Sequence, residues 1–385
     1  MRIAFFSTMA GMPWGGSEEL WYRAALALLE RGHEVAFNSI AWPTIAAPLQ
    51  KLTERGATPH FRSRKRMGRS IREALQKLRL THLKYRPWLR SSRPDFVVIS
   101  FSCHTDDPQI ANTCRALGIP YAILLQAAGP HNWIDPRFVE DFRSAYTHAR
   151  RCYFVSADNR EMLESNLAAE LPQAEVVDNP FTVSVNASPS WPSTAPYWKL
   201  ACVARVHFVT KSQDLLVRVL RLPKWRARSL QVTLWGSDNG SLKQVLRSVE
   251  LHGLHNQLSY GGVSNNIEQV WSEHHGLILP SRAEGNALSL IEAMICGRVP
   301  ITTRVGRAGE LIDDNDSGFL APAATAELID EVLERAWQRR DDWQAMGQRA
   351  AVAVRERHSL RPAEDFADRI LTAASDKSVV RKLAA

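Results

Sequence analysis

Apolar residues fall along this chain in short runs separated by stretches of helical spacing, and the alternation occurs in two successive blocks. In the first, Ile3-Ala4-Phe5-Phe6-Ser7 precedes a helical pattern from Ser17 to Glu30, and Glu34-Val35-Ala36-Phe37 reads as the next strand. Pro94-Asp95 introduces Phe96-Val97-Val98-Ile99, and Ile119-Pro120 introduces Tyr121-Ala122-Ile123-Leu124-Leu125. Cys152-Tyr153-Phe154-Val155 and Glu175-Val176-Val177 complete the block. Strands interleaved with helices predict a parallel sheet covered on both faces.

The pattern pauses from Asn179 to Tyr197, a stretch with four prolines and little periodicity, so 181–198 is expected to be a linker. It restarts at Leu200-Ala201-Cys202-Val203-Ala204, with further strands at Gln231–Trp235, Leu258–Tyr260, Leu277–Leu279 and Val299–Ile301. Helical stretches at Ser212–Leu220 and Leu242–Leu251 separate them, and the chain closes on helical patterns at Ala326–Trp337, Asp341–Glu356 and Pro362–Ala373. A length of 385 residues also exceeds one typical core. Two doubly wound α/β domains, 1–180 and 199–360, are therefore expected, with 361–385 as a terminal helical segment.

Composition narrows the class. There is no run of eighteen or more apolar residues that would cross a membrane, and Met1–Ser7 reads as a strand, not as a signal-peptide core. Five scattered cysteines lack metal-type spacing and point to reduced thiols in a cytoplasmic protein. The net charge of +8 is uneven: Arg62 to Arg93 holds twelve Lys or Arg against the single acid Glu73, a local +11 that leaves the rest about three units negative. Ile71, Leu75 and Leu78 fall there at helical spacing, with Tyr85 and Trp88 near the end. Such a segment is either a solvated face or a patch for an anionic membrane surface or a phosphorylated acceptor. No recognition motif accompanies it, so nucleic acid is not expected as a partner.

The densest chemistry lies in Pro280-Ser281-Arg282-Ala283-Glu284-Gly285-Asn286-Ala287-Leu288-Ser289-Leu290-Ile291-Glu292-Ala293-Met294. It follows the run Gly276–Leu279 and opens a helix, Ala287 to Cys296, that stops at Gly297. Strand carboxyl ends and free helix amides meet at such a junction. The amides of Asn286, Ala287 and Leu288, at the positive end of the helix dipole, suit a phosphate. Glu284 and Glu292 would flank it, a setting for two hydroxyl-rich groups joined by a diphosphate, that is, a nucleotide sugar.

This stretch resembles the retaining family 4 glycosyltransferases of GT-B fold, whose signature is a Pro-Ser-x-x-Glu-Gly loop, a Glu-Ala helix, Gly, and a Val-Pro strand start. The resemblance is strongest from Leu200 to Leu320. It implies two Rossmann-like domains with a ligand cleft between them, the first binding acceptor, the second the nucleotide sugar, and the last helix returning to the first. It implies that Glu284 contacts hydroxyls of the transferred sugar, Glu292 the ribose hydroxyls, and the backbone of Gly285, Asn286, Ala287 and Leu288 the diphosphate and sugar. Ala204-Arg205-Val206-His207-Phe208-Val209-Thr210-Lys211-Ser212 is similar to the family's Gly-Arg-x6-Lys-Gly segment, so Arg205 and Lys211 are expected to neutralise the diphosphate and the leaving group's growing charge. Gly15-Gly16-Ser17-Glu18 after the first strand matches a Gly-Gly-x-Glu loop, with Gly15 and Gly16 on donor or acceptor and Ser17 otherwise an N-cap. Gly261-Gly262-Val263 matches a Gly-x-Val turn that brings Val263 to the nucleobase.

Several positions depart from the pattern. Ala204 and Ser212 stand where the family has glycines, and Arg307 replaces the second glycine of Val-Gly-Gly. Gln126 follows Tyr121–Leu125 where many members carry a histidine facing the acceptor; an amide hydrogen-bonds a hydroxyl but cannot take its proton. His131 could reach the acceptor side from the following loop. No Asp-x-Asp pair follows a mid-chain strand, so no divalent metal or other cofactor is expected. The expectation is a cytoplasmic hexosyltransferase, able to lie peripherally at the inner face of the membrane, moving sugar from a nucleotide donor, UDP favoured, to a saccharide or lipid-linked acceptor of the kind used in polysaccharide biosynthesis. A sugar-nucleotide epimerase of the same fold and a non-catalytic carbohydrate-binding protein are the alternatives.

Overall fold

The computed structural model describes residues 1–63, 84–130 and 132–376, which form two compact units. The first comprises Met1–Pro180 together with the chain from Arg361 onward; the second is Phe181–Leu360.

Among the described residues the first unit holds β1 (Arg2–Ser7), β2 (Glu34–Ile40), β3 (Thr58–Arg62), β4 (Phe96–Phe101), β5 (Tyr121–Leu125), β6 (Arg151–Phe154) and β7 (Ala174–Val176). They form one parallel sheet in the order β3-β2-β1-β4-β5-β6-β7. The central strands are buried along their length because helices cover both faces. Those helices are α1 (Glu19–Glu30), α2 (Ala47–Glu54), α3 (Arg86–Ser92), α4 (Gln109–Ala116), α5 (Val139–Thr147) and α6 (Ala157–Leu167). α1 packs Leu20, Trp21, Ala24 and Leu28 on one face of the sheet, at the i, i+4 spacing of a single stripe. Strand β3 carries no apolar run to announce it: Thr58, Pro59 and His60 are exposed, because among the described residues it pairs only with β2.

The second unit repeats the plan with β8 (Trp198–Val203), β9 (Leu230–Trp235), β10 (Leu258–Gly262), β11 (Gly276–Leu279), β12 (Val299–Thr303) and β13 (Phe319–Ala321), ordered β10-β9-β8-β11-β12-β13 and all parallel. Its principal helices are α7 (Phe208–Lys211), α8 (Gln213–Leu220), α9 (Leu242–His252), α10 (Ile267–Glu273), α11 (Leu288–Ile295), α12 (Ala326–Gln338) and α13 (Trp343–Arg357). Trp225, Trp271 and Trp343 are its largest fully buried side chains. The chain's last described helix, α14 (Pro362–Ser375), lies on the first unit: Phe366 meets Tyr153 edge-on at 5.1 Å, and Arg150 donates to the carbonyls of Ala373 and Ala374 at 3.1 and 2.9 Å. Among the described residues no helix is long and apolar enough to cross a membrane.

Two expectations need correction. The stretch read as a linker is built into the second unit, where Phe181, Val183 and Ala187 are buried in its core. Buried Arg298 donates to the carbonyls of Trp271, Pro189 and Ser190 at 2.6, 3.0 and 2.7 Å, and Arg355 reaches Val185 O at 2.9 Å. Isolated apolar anchors and carbonyls captured by arginines hold this segment, and neither leaves a periodic signal. The ends of the basic segment are partly interior, although Lys84, Arg90 and Arg93 are exposed. Arg62 donates to the Asn38 side chain at 2.8 Å and to Ser7 O, with its guanidinium 4.5 Å from the Phe6 ring centre, while Tyr85 and Trp88 lie in the core. Arg64 to Leu83, which include Ile71, Leu75 and Leu78, lie outside the described residues.

Candidate functional site

In the second unit the strand order reverses between β8 and β11, the place where open α/β sheets bind ligands beyond their carboxyl ends. The two loops that leave those strands are stitched together. Arg282 and Ala283 donate their backbone amides to Thr210 O at 2.8 and 3.3 Å. The Arg282 guanidinium grips both oxygens of Asp214 at 3.0 and 2.9 Å and donates to Phe208 O at 2.7 Å. A two-pronged pair of this kind fixes orientation as well as distance.

This stitching brings Lys211 to Glu284. The Lys211 Nζ lies 2.6 Å from each carboxylate oxygen, and Ser281 Oγ donates to Oε1 at 2.7 Å. The two side chains are 16 % and 9 % exposed, so the pair is largely shielded from water. Arg205 stands exposed on the same β8 loop. The loop backbone is held from the other side by Thr303, whose hydroxyl donates to Ser281 O at 2.6 Å, and by Arg307 N, which donates to Gly285 O at 3.0 Å.

Helix α11 begins immediately after this loop, with Ala287 as its N-cap and no side-chain cap bond. Asn286, 6 % exposed, has neither atom of its amide paired among the described residues. Glu292, 4 % exposed, accepts from Thr182 N at 3.0 Å and Thr182 Oγ1 at 2.6 Å through Oε1. Thr182 was not foreseen, because it lies in the segment expected to be a linker; Pro180-Phe181-Thr182 following a strand pattern was its only trace. Val263 is 65 % exposed at the end of β10, two strands from β8. The turn before it needs its glycines: a Cβ at Gly261 would lie 2.6 Å from the Trp235 ring, and Gly262 has φ +85°.

In the first unit the order reverses between β1 and β4. Gly15 follows β1 in extended backbone, φ −159°, and Gly16 opens a single 3-10 turn, Gly16–Glu18. Ser17 is inside that turn and is not the N-cap expected of it. Glu18, the acid of the Gly-Gly-x-Glu match to which the sequence assigned no role, is buried, accepts from Ser7 Oγ at 2.6 Å, and is pushed up to about 7 by burial. Gln126, 4 % exposed, accepts from Asn179 Nδ2 at 3.0 Å. His131 lies outside the described residues, and the expectation placed on it with them.

The model of the family "Glycosyl transferases group 1" matches residues 198–336. That stretch makes up most of the second unit. The chain is 29 % identical over 150 residues to a sucrose synthase of Nitrosomonas europaea, a match covering 35 % of this chain and 18 % of that one. It is 26 % identical over 119 residues to the N-acetyl-alpha-D-glucosaminyl L-malate synthase of Bacillus anthracis, covering 31 % of each. These matches span under a third of those relatives. Among solved structures, a glycosyltransferase from Rickettsia africae superposes with TM-score 0.75 at 15 % identity, covering 98 % of this chain and 99 % of that one. Anabaena HepE in complex with UDP superposes with TM-score 0.74 at 15 % identity over 97 % of this chain and 100 % of its own. The fold is that of the GT-B glycosyltransferases.

Two of the second unit's departures from the expected pattern, Ser212 and Arg307, differ in what their backbone demands. Ser212 occupies the left-handed region at φ +58°, where a glycine is the unstrained choice. Arg307 has φ −79°, so its position makes no demand for glycine. Gly306 does make that demand: φ is +56° and a Cβ would lie 2.2 Å from Gly285 O. The glycine that the loop requires is therefore present, and the one it can spare is the one replaced.

Proposed function

We propose that this protein transfers a sugar from a nucleotide-sugar donor to a saccharide or lipid-linked acceptor, with retention at the anomeric carbon and without a divalent metal. The observation that carries the reading is the shielded Lys211–Glu284 pair, held at the β8/β11 reversal directly before the α11 N-terminus in a group 1 unit. In this reading Lys211 and Arg205 neutralise the diphosphate, so the charge that a metal would balance is met by two cations and the helix dipole. The backbone from Gly285 to Leu288 runs along the diphosphate and sugar, Glu284 takes sugar hydroxyls, Glu292 the ribose, and Val263 the base. Gly15 and Gly16 serve the donor or acceptor from the first unit, and Gln126 orients an acceptor hydroxyl.

Retention follows if the acceptor oxygen bonds to the anomeric carbon on the face from which the phosphate oxygen leaves. That departing oxygen takes the acceptor proton, so Gln126 need not act as a base. HepE, crystallised with UDP and with UDP-glucose, supports uridine as the base to test first.

The test is thermal stabilisation of the full chain by UDP-, GDP- and ADP-sugars, followed by NMR of the product's anomeric proton with and without EDTA. Stabilisation by UDP-sugars, a product of the donor's configuration and full rate in EDTA are expected. No stabilisation by any nucleotide sugar would remove the donor site. An inverted product, or loss in EDTA rescued by manganese, would overturn retention or metal independence.

A further inference from the structure

The first unit carries a thiol in a setting none of the other cysteines shares. Cys114, Cys152, Cys202 and Cys296 are buried, and burial pushes their thiols far up, Cys202 and Cys296 to about 12. Cys103 alone is partly exposed. It lies just past β4, at the strand-order reversal of the first sheet, where a doubly wound sheet takes its ligand.

Its neighbour is poised as a base. His104 Nε2 lies 2.7 Å from Asn132 O, and a carbonyl can only accept, so that nitrogen carries the ring's hydrogen. In the neutral ring Nδ1 then holds a lone pair, and it faces the Cys103 Sγ at 3.5 Å. The Thr105 hydroxyl donates to the same sulfur at 3.6 Å. Nucleophile, base and an acceptor that orients the base are thus linked one to the next, the arrangement that activates a thiol. The loop is also held in place: Asp106 accepts from Ser102 Oγ at 2.7 Å and from Cys103 N at 3.0 Å, and also from the Thr8 hydroxyl. His104 N donates to Ala127 O at 3.0 Å and Gln126 N to Phe101 O at 2.9 Å, so the pair adjoins Gln126 on the neighbouring strand end. The Gln126 Nε2, in a residue 4 % exposed, has no partner among the described residues.

We propose that Cys103 is a base-assisted thiol that exchanges with low-molecular-weight disulfides, with His104 as its base. The Cys103 proton passes to His104 Nδ1, and the thiolate attacks one sulfur of the disulfide. The reagent's S–S bond breaks as the Cys103–sulfur bond forms. The other half departs as a thiolate and takes up a proton, so one sulfur is oxidised and one reduced. Burial opposes ionisation of Cys103, but the bonds from His104 and Thr105 outweigh it and leave the thiol below its ordinary range. The other titratable groups facing the pair are Asp106 on the same loop and Tyr146 of α5, which burial keeps neutral.

The test uses the native full chain with glutathione disulfide, read by intact mass, and a chromogenic aromatic disulfide for rates. One adduct per chain is expected, absent in Cys103→Ser. His104→Gln should slow the reaction at neutral pH about fivefold or more while matching wild type near pH 10, where any accessible thiol is ionised. Equal rates at the alkaline end show that the loop has not closed over the sulfur. No adduct in wild type, an adduct that survives Cys103→Ser, or identical pH–rate profiles in wild type and His104→Gln would each overturn the proposal. None of these readouts depends on the transferase reading. If that reading holds, the adduct should also slow transfer while leaving nucleotide affinity in the group 1 unit unchanged.

Discussion

Replacing Lys211 by methionine is the sharpest perturbation of the second unit. It keeps the aliphatic stem and removes the ammonium that sits 2.6 Å from both Glu284 oxygens. Breaking a buried ion pair from one side costs about 3–5 kcal/mol, because the remaining charge is left without compensation. Here Glu284 keeps the Ser281 hydroxyl at 2.7 Å, and the partners retain 9 % and 16 % exposure. The loss should therefore sit lower, at about 2–3 kcal/mol of the unit's stability. Glu284→Gln should cost less, since its carbonyl still accepts from the ammonium. The double variant Lys211→Met/Glu284→Gln removes both charges and should recover much of the loss, giving a coupling of about 1–3 kcal/mol in a double-mutant cycle. Urea unfolding of the four proteins measures it. Strictly additive effects would refute the pair as a shielded, interacting unit. UDP titration of the same proteins should show affinity down about tenfold in every variant lacking Lys211, since a hydrogen bond to a charged group contributes roughly 1.5–3 kcal/mol. Unchanged UDP affinity there would remove Lys211 from the donor site.

Three further outcomes follow from named contacts. Gly306→Ala should destabilise the unit by about 3 kcal/mol and abolish stabilisation by UDP, since it combines a left-handed backbone with a 2.2 Å approach to Gly285 O; a wild-type melting curve with UDP would contradict this. Glu292→Ala should cost about 1–3 kcal/mol by stranding the Thr182 amide and hydroxyl, whereas Glu292→Gln should retain stability through its carbonyl yet bind UDP about tenfold more weakly. Paired unfolding and UDP titrations separate the two roles. Glu18 has a folded pKa of about 7 against an ordinary 4.5, so the folded state holds its proton more tightly. Its stabilising share is full below about pH 4.5 and lost as pH rises through about 7, up to about 3 kcal/mol. Glu18→Gln should flatten that part of the stability–pH curve, and an unchanged slope would refute the assignment.

Long-range organisation was legible because it is written in local signals. Runs such as Phe96–Ile99 and Tyr121–Leu125 can be satisfied only between covering layers, and helical spacing between them leaves a parallel sheet as the outcome. The Glu284 loop was legible for the same reason: strand, turn and helix start are consecutive, so Gly285 to Leu288 had to lie beyond the carboxyl end of a strand at a helix N-terminus. What the sequence left open concerns partners far apart along the chain. Nothing local says that Lys211 closes on Glu284, that Glu292 takes Thr182 as partner, or that Arg298 and Arg355 bind a proline-rich stretch into the second unit. Nor does local pattern tell which glycine is needed, since what a Cβ at Gly306 would meet is the carbonyl of Gly285, far back along the chain, while Arg307 keeps an ordinary φ. Periodicity records which face of an element is buried; only the folded chain decides which charged group, carbonyl or lone pair waits on the other side, because that choice is made by geometry between elements.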